Sequence, residues 1–322
     1  MYKTYEKWPE IATKSFNSNL DKIDFKDIDH IVFSGMGGSG ALGDFFSSIL
    51  SKTDIHTSVV KGYLLPKTVN KNSLIVTTSI SGDTAETFEV LKAAKKIDCK
   101  IIAFASGGRM EKYCSHNEIP FRKISKVHSP RASFVNYLYS MLKVLSPSIP
   151  VNKTDIEKSI KELYKTKKKI ETSNLSKNNT ALNLALWMKG IPTIYYPWGL
   201  HAAAIRFKGS LQENAKIHVI TEDVLEASHN GIVSWERSSK VQPILIQGVD
   251  DNIKTNQRWR IIEQFFENKE IDYRKIVSNK GSIINKLINL IYILDFSSIY
   301  LAVNKKIDPT PVKSIDYIKK QL

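Results

Sequence analysis

Residues 30–44 read HIVFSGMGGSGALGD. Ile31–Ser34 is a short apolar run of strand type. Gly35, Gly37, Gly38 and Gly40 follow at once, and then the helix-forming stretch Ala41–Leu50. A strand that opens through a glycine-rich turn into a helix is the unit of a parallel sheet covered on both faces. The glycines permit tight turns and close backbone approach. Amides at the start of the following helix face outward and favour an anion.

The same rhythm continues in both directions from this stretch. Strands are predicted at Ile55–Val60, Ser73–Thr78, Cys99–Ala105 and Pro120–Ile124. Helices are predicted at Ala85–Ala94, from about Arg109, and at Ala132–Val144. The segment Ser146 to Pro150, SPSIP, breaks the pattern as a linker does. After a lysine-rich helix at Asp155–Lys169 the rhythm resumes, with strands at Ile191–Tyr196, Val241–Val249 and Ile271–Val277. Helices are predicted at Gly199–Glu213, Asn252–Asn268, Ile283–Val303 and Val312–Leu322. Residues 1–28 read as helical or irregular and polar. The expectation is an α/β protein of two domains of similar design, residues 1–150 and 151–322, each around a mainly parallel sheet. No short sequence repeat accompanies them.

Composition agrees with a globular chain: 322 residues, 42% hydrophobic and 25% charged. The formal charge of +15 invites a polyanion reading, but the lysines are spread along the whole chain. The densest run, Tyr164–Lys169, reads as a solvated face, and a positive field also suits a small phosphorylated substrate. Nucleic acid is therefore not the expected partner. Cys99 and Cys114 form neither a disulfide framework nor a metal-ligand spacing, which suits a reducing, cytoplasmic compartment. The first ten residues hold no apolar leader segment. Ile283–Val303 is interrupted by Asn, Lys, Asp and Ser, and reads as a core helix rather than a membrane span.

In a parallel sheet, ligands bind beyond the carboxyl ends of the strands. The first such loop, GMGGSG, lacks the GxGxxG spacing of a dinucleotide site, and no acid ends the second strand to hold a ribose. No lysine follows as in a P-loop. The loop after the third strand, Thr77 to Thr84, is TTSISGDT. Ser79, Ser81 and Thr84 can converge on one oxyanion, with helix amides behind them and Ser39 joining from the neighbouring loop. A simple helix cap at Asp83 or Thr84 is the competing account. Two hydroxyl-bearing loops side by side favour a phosphate monoester. Ser106–Arg109 reads as a turn close to the ligand. Arg131, just after Pro130, falls in a first helical turn where the dipole disfavours a cation; a phosphate or enediolate oxygen would give it a role.

In the second half, Glu213 within QENAK and His229 within SHN are candidates for proton chemistry. Local pattern alone leaves both open to a surface role, with His201, His128, His116 and His218 as rivals. No HExxH motif or Cys/His cluster points to a metal. A phosphate cradle, a carboxylate, an arginine and a histidine suffice for moving a carbonyl between C1 and C2 of a phosphosugar through an enediol.

In order and spacing, GMGGSGALGD, SISGDTAET, SPRASF, QENAKIHV and EASHNGIVSWE resemble the bifunctional phosphoglucose/phosphomannose isomerase family, over nearly the whole chain from Ile31 onward. The resemblance implies two SIS (sugar isomerase) αβα sandwich domains. It implies a metal-independent, cofactor-free isomerase that interconverts glucose 6-phosphate and mannose 6-phosphate with fructose 6-phosphate. Gly38, Ser39, Ser79, Ser81 and Thr84 would hold phosphate and sugar. Glu213 would be the base, Arg131 the enediolate stabiliser, and His229 the ring-opening histidine reaching in from the partner of a homodimer. Lys319 would assist ring opening. The family writes SYSGNT where this chain has SISGDT, so Asp83 brings a negative charge to the phosphate loop. The threonine associated with mannose 6-phosphate falls either on Thr310 or, two residues nearer the lysine, on Val312. An isomerase of one other phosphosugar and a non-catalytic phosphosugar-binding regulator are the alternatives.

Overall fold

In a computed structural model, which describes residues 1–321, the chain divides into two compact units. The predicted helix end at Leu322 lies outside the described residues. One unit comprises residues 3–164 and 282–285; the other comprises residues 1–2, 165–281 and the chain from 286 on.

The first unit opens with two short helices, α1 (Tyr2–Glu6) and α2 (Trp8–Phe16). These are not the polar lead-in that the sequence suggested. Tyr5 and Trp8 are fully buried, and Trp8 stacks on Tyr5 at 4.6 Å between ring centroids. Then come β1 (His30–Ser34), α3 (Gly37–Leu50), β2 (His56–Val60), β3 (Ser73–Ser79), α4 (Ala85–Lys95), β4 (Lys100–Ala105), α5 (Gly108–His116) and β5 (Phe121–Lys123). A 3₁₀ turn at Arg131–Ser133 leads into α6 (Phe134–Leu145), and α7 (Lys153–Ile170) runs from this unit into the next. All pairings are parallel, in the order β2-β1-β3-β4-β5. Every residue of β1 and β3 is buried, as continuous apolar strands covered on both faces should be.

The second unit contains α8 (Thr180–Trp187), β6 (Ile191–Tyr196), α9 (His201–Ser210), a π-helical turn (Leu211–Ala215), β7 (Ile220–Asp223) and α10 (Val224–Ala227). It continues through β8 (Val241–Gln247), α11 (Ile253–Asn268), β9 (Arg274–Val277), α12 (Ile283–Asn304) and α13 (Lys313–Gln321). Its sheet is again parallel, ordered β7-β6-β8-β9. The two orders coincide up to the last strand, so the units repeat one topology without repeating a sequence. The predicted α/β class with two parallel sheets is what the chain forms. Three elements escaped the sequence: α8, the four-residue α10, and β7, whose four residues ITED form a half-exposed edge strand with acids in place of apolar alternation. α12 has the length and composition of a membrane-crossing helix, but 78% of its most apolar window is buried within the protein.

In each sheet the chain leaves the first central strand toward one edge and returns on the other side. The direction of winding switches between β1 and β3, the place where ligands bind in sheets of this kind, and the glycine and hydroxyl loops follow those two strands.

Candidate functional site

In the first unit, three segments meet beyond the ends of β1 and β3. The amide of Ile80 donates to Ser39 Oγ at 3.3 Å, which joins the loop after β3 to the start of α3. Gly38 lies against the turn before α6: a Cβ built there would stand 3.3 Å from the carbonyl oxygen of Pro130 and 3.5 Å from Cα of Arg131. Tyr137 on α6 donates to the carbonyl of Ile124 at 2.7 Å and reaches that of Ile80 at 3.4 Å. Gly38, Ser39, the Ser79–Thr84 loop and Arg131 therefore share one place.

Within the second loop the hydroxyls form a set. Ser79 Oγ lies 2.9 Å from Thr84 Oγ1 and 3.4 Å from Ser81 Oγ, and accepts from the Gly82 amide at 3.0 Å. Thr84 is the N-cap residue of α4, yet its side chain makes no capping bond to the helix. Its hydroxyl is engaged with Ser79 instead. The α3 terminus is likewise without a side-chain cap, and its first turn has no acid. Two helix N-termini without a side-chain cap thus begin at the loops that carry these hydroxyls, a combination suited to an oxyanion. Lys61, at the end of β2, pairs at 2.6 Å with the buried Asp44 of α3 and adds a cation beside Gly40.

The charge of Asp83 is directed away from this cluster. Its Oδ1 accepts from the Arg109 amide at 2.8 Å at the start of α5, and the Arg109 guanidinium donates to the Asp83 carbonyl at 2.7 Å. Asp83 caps α5, so it buttresses the loop rather than facing a ligand.

That buttress depends on Gly82, whose φ is +82° and whose hypothetical Cβ would fall 1.8 Å from the Gly107 carbonyl oxygen. Gly82→Ala is expected to cost about 1–2 kcal/mol of stability from the backbone conformation alone. It should also weaken phosphosugar binding by about tenfold or more as the hydroxyl loop is displaced. Thermal melting and calorimetric titration check both; wild-type affinity in this variant would separate the loop from ligand binding.

Arg131 is only 4% exposed. Its turn is fixed from three sides. Trp8 Nε1 donates to the Ala132 carbonyl at 3.2 Å, Ser129 Oγ accepts from the Ala132 amide at 3.4 Å, and Ser133 Oγ donates to the Ser129 carbonyl at 2.9 Å. The role of Trp8 is not legible in the sequence, because nothing local links residue 8 to residue 132.

In the second unit, Glu213 is half-buried in the π turn. Such turns are rare and concentrate at functional sites. The turn ends at Lys216, which adopts the left-handed conformation with φ +56°. The Lys216 ammonium donates back to the Glu213 carbonyl and across to the Pro311 carbonyl, the latter at 2.7 Å. One side chain therefore straps the turn bearing Glu213 to the 308–312 loop. In that loop the Thr310 amide donates to Asp308 Oδ1 at 2.8 Å and holds the Asp308 carboxyl below its usual range. Thr310 is exposed and Val312 half-buried, its carbonyl accepting from Ile315 and Asp316 as α13 begins.

His229 lies outside this hydrogen-bonded set. It occupies the turn after α10, its amide donating to the Glu226 carbonyl at 2.9 Å. Its chain neighbour Ser228 lines a groove of about 380 Å³ with Ile232, Lys254, Gln257, Arg258, Ile261, Ile262 and Phe265. Lys319 stands on α13, a helix without a buried residue. Among the described residues, no group of three or more His, Cys, Asp or Glu side chains is arranged to hold a metal ion.

A family model described as the bacterial phospho-glucose isomerase C-terminal SIS domain matches residues 177–322, and a SIS-domain model matches residues 24–142. A bifunctional phosphoglucose/phosphomannose isomerase of Caldicellulosiruptor bescii is 30% identical, covering 100% of this chain and 98% of its own length. A D-glucosamine-6-phosphate 4-epimerase of Sulfolobus acidocaldarius is 25% identical over 76% of this chain and 77% of its own. The C-terminal domain of glucosamine-fructose-6-phosphate aminotransferase from Francisella tularensis superposes with a TM-score of 0.70 at 17% identity, covering 95% of this chain and 96% of that one. That likeness concerns the fold alone.

Proposed function

This chain belongs to the SIS-domain phosphosugar isomerase family that includes the bifunctional phosphoglucose/phosphomannose isomerases, and we propose that it interconverts glucose 6-phosphate and mannose 6-phosphate with fructose 6-phosphate in the cytoplasm. The observation that carries this reading is Glu213 on its π turn, strapped by Lys216 to the loop of Thr310. A phosphosugar sensor needs the hydroxyl loops but no carboxylate held in this way.

In the proposed reaction the phosphate rests on Ser39, Ser79, Ser81 and Thr84, with Gly38 allowing backbone approach. His229 donates a proton to the ring oxygen while the anomeric hydroxyl loses its own, with Lys319 assisting. Glu213 takes the proton from C2, the C–H electron pair becomes the C1–C2 double bond as the C1 carbonyl π pair moves onto O1, and O1 takes up a proton to give the enediol. O2 then loses its proton, the C2 carbonyl forms, and the C1–C2 π pair takes the proton back from Glu213 at C1. Arg131 stabilises the oxygen charge that develops between these states. Protonation of C2 from either face gives either aldose epimer, and the room near Thr310 or Val312 decides whether both are released.

A homodimer in which His229 completes the partner's site is part of the proposal. It is supported by the groove that Ser228, the chain neighbour of His229, lines with Ile232, Ile261, Ile262 and Phe265, and by Ile253 and Ile261 on α11, which are 70% and 66% exposed. Such apolar surface suits an interface between copies.

The experiment is turnover of fructose 6-phosphate in the presence of EDTA, with glucose 6-phosphate and mannose 6-phosphate measured separately. Both products are expected, at rates unchanged by the chelator. Glucose 6-phosphate alone would restrict the activity to one epimer and favour Val312 as the occupant of the specificity position. Loss of activity in EDTA, recovered with a divalent ion, would overturn the metal-free proton transfer. Absence of both products would move the reading to another phosphosugar, amino sugars included, given the 4-epimerase relative.

A further inference from the structure

The π turn that carries Glu213 is held by a second set of contacts besides those of Lys216, running from residues 206, 210 and 214 to α12. Residues 206, 210 and 214 carry polar side chains, and all three point at α12. Arg206 donates to Asp295 Oδ2 through Nε at 3.1 Å and Nη2 at 2.7 Å. Ser210 Oγ donates to Asp295 Oδ1 at 2.6 Å. Asn214 Nδ2 donates to Ser298 Oγ at 2.8 Å, and Ser298 Oγ donates in turn to the Asp295 carbonyl at 2.6 Å. Arg206, Ser210, Asn214, Asp295 and Ser298 are each no more than 5% exposed.

We infer that Asp295 and Ser298 are positioning residues for Glu213: they lock the π turn, and the π turn sets where the carboxylate points. An extra residue in one helical turn rotates the residues beyond it by about 100° relative to a continuous 3.6-residue helix. A π turn persists only where its surroundings over-determine it. Here the buried carboxylate of Asp295 fixes the last turn of α9, and Ser298, one turn further along α12, fixes Asn214 on the far side of the widened turn. Glu213 is the immediate neighbour of Asn214. Relaxation of residues 211–215 to regular helix would turn Asn214 off Ser298 and swing Glu213 with it. Neither Asp295 nor Ser298 is accessible to a substrate, so they act through the turn. The inference rests on Glu213 being the base.

The test uses the full-length protein with Asp295→Asn and Ser298→Ala, each alone and combined with Glu213→Gln, following kcat, KM and thermal melting. Ser298→Ala leaves the Arg206–Asp295 pair intact, so it decides the matter even if Asp295→Asn does not fold. Misplacement of a reacting group by about 1 Å costs up to 100-fold in rate, so Ser298→Ala is expected to lower kcat by about tenfold with KM changed less than about twofold. In the Glu213→Gln background the same change should lower the residual kcat by less than about twofold, because an effect transmitted through a side chain vanishes when that side chain is inert. An unchanged kcat, a change confined to KM, or an equal loss in both backgrounds would overturn the inference. If Glu213→Gln itself kept full turnover, the base assignment would fail first, and the clamp with it. An impaired Glu213→Gln beside an unimpaired Ser298→Ala would remove the clamp alone.

Discussion

Glu213→Gln is expected to lower kcat by about 100-fold or more while binding of fructose 6-phosphate stays within a fewfold of wild type. The substitution is close to isosteric and removes the capacity to accept a proton, so it tests chemistry rather than packing. The contacts from the neighbouring residues of the turn are spared. Lys216 binds the main-chain carbonyl of residue 213, and the polar contacts to α12 start from residues 206, 210 and 214. Rapid-quench turnover and calorimetry separate the two terms. A second readout tracks the proton itself. Glucose 6-phosphate formed by the wild type in deuterated water should carry deuterium at C2, and the variant should lose this incorporation in step with turnover. Full activity, or exchange that survives while turnover falls, would take the base role away from Glu213.

The legibility of each feature in the sequence tracks how local its determinants are. Parallel strands buried on both faces leave continuous apolar runs such as Ile31-Val32-Phe33, and the loops that end them carry their chemistry in adjacent residues. Ser79, Ser81, Gly82 and Thr84 therefore stand out from the sequence alone. The helix ahead of QENAK is also visible there, but not its π turn, because the extra residue reflects side chains about 80 positions later on α12. Asp295 and Ser298 read as interruptions of an apolar helix, which conceals their pairing with Arg206, Ser210 and Asn214. Trp8 escapes for a related reason. Its partners Phe134 and Ala132 are distant in the chain, and an aromatic in a short polar segment gives no local sign of burial. The edge strand β7 carries acids at its end because it need satisfy only one neighbour. Asp83, a troubling charge in a phosphate loop when read alone, is accounted for once the Arg109 amide and guanidinium are seen beside it.

Arg131→Ala should lower kcat by about 100-fold or more, with KM rising less than about tenfold. Its place explains why the loss should fall mainly on the transition state. The guanidinium belongs to a turn that opens directly into α6, where the helix dipole is unfavourable to a cation. The turn is nonetheless anchored by Trp8, Ser129 and Ser133 and packed against Gly38 of the glycine-rich loop after β1. A cation kept at 4% exposure against that dipole is well suited to an oxyanion that appears during reaction, because little reorganisation is needed when the charge arrives. Arg131→Lys should recover part of kcat but not all: the ammonium restores the charge without the planar fork that can bridge two oxygens. Melting curves for both variants distinguish this from a folding defect. If the alanine variant loses affinity and keeps kcat, Arg131 is a clamp on the phosphate, and stabilisation of the enediolate must be sought in another side chain.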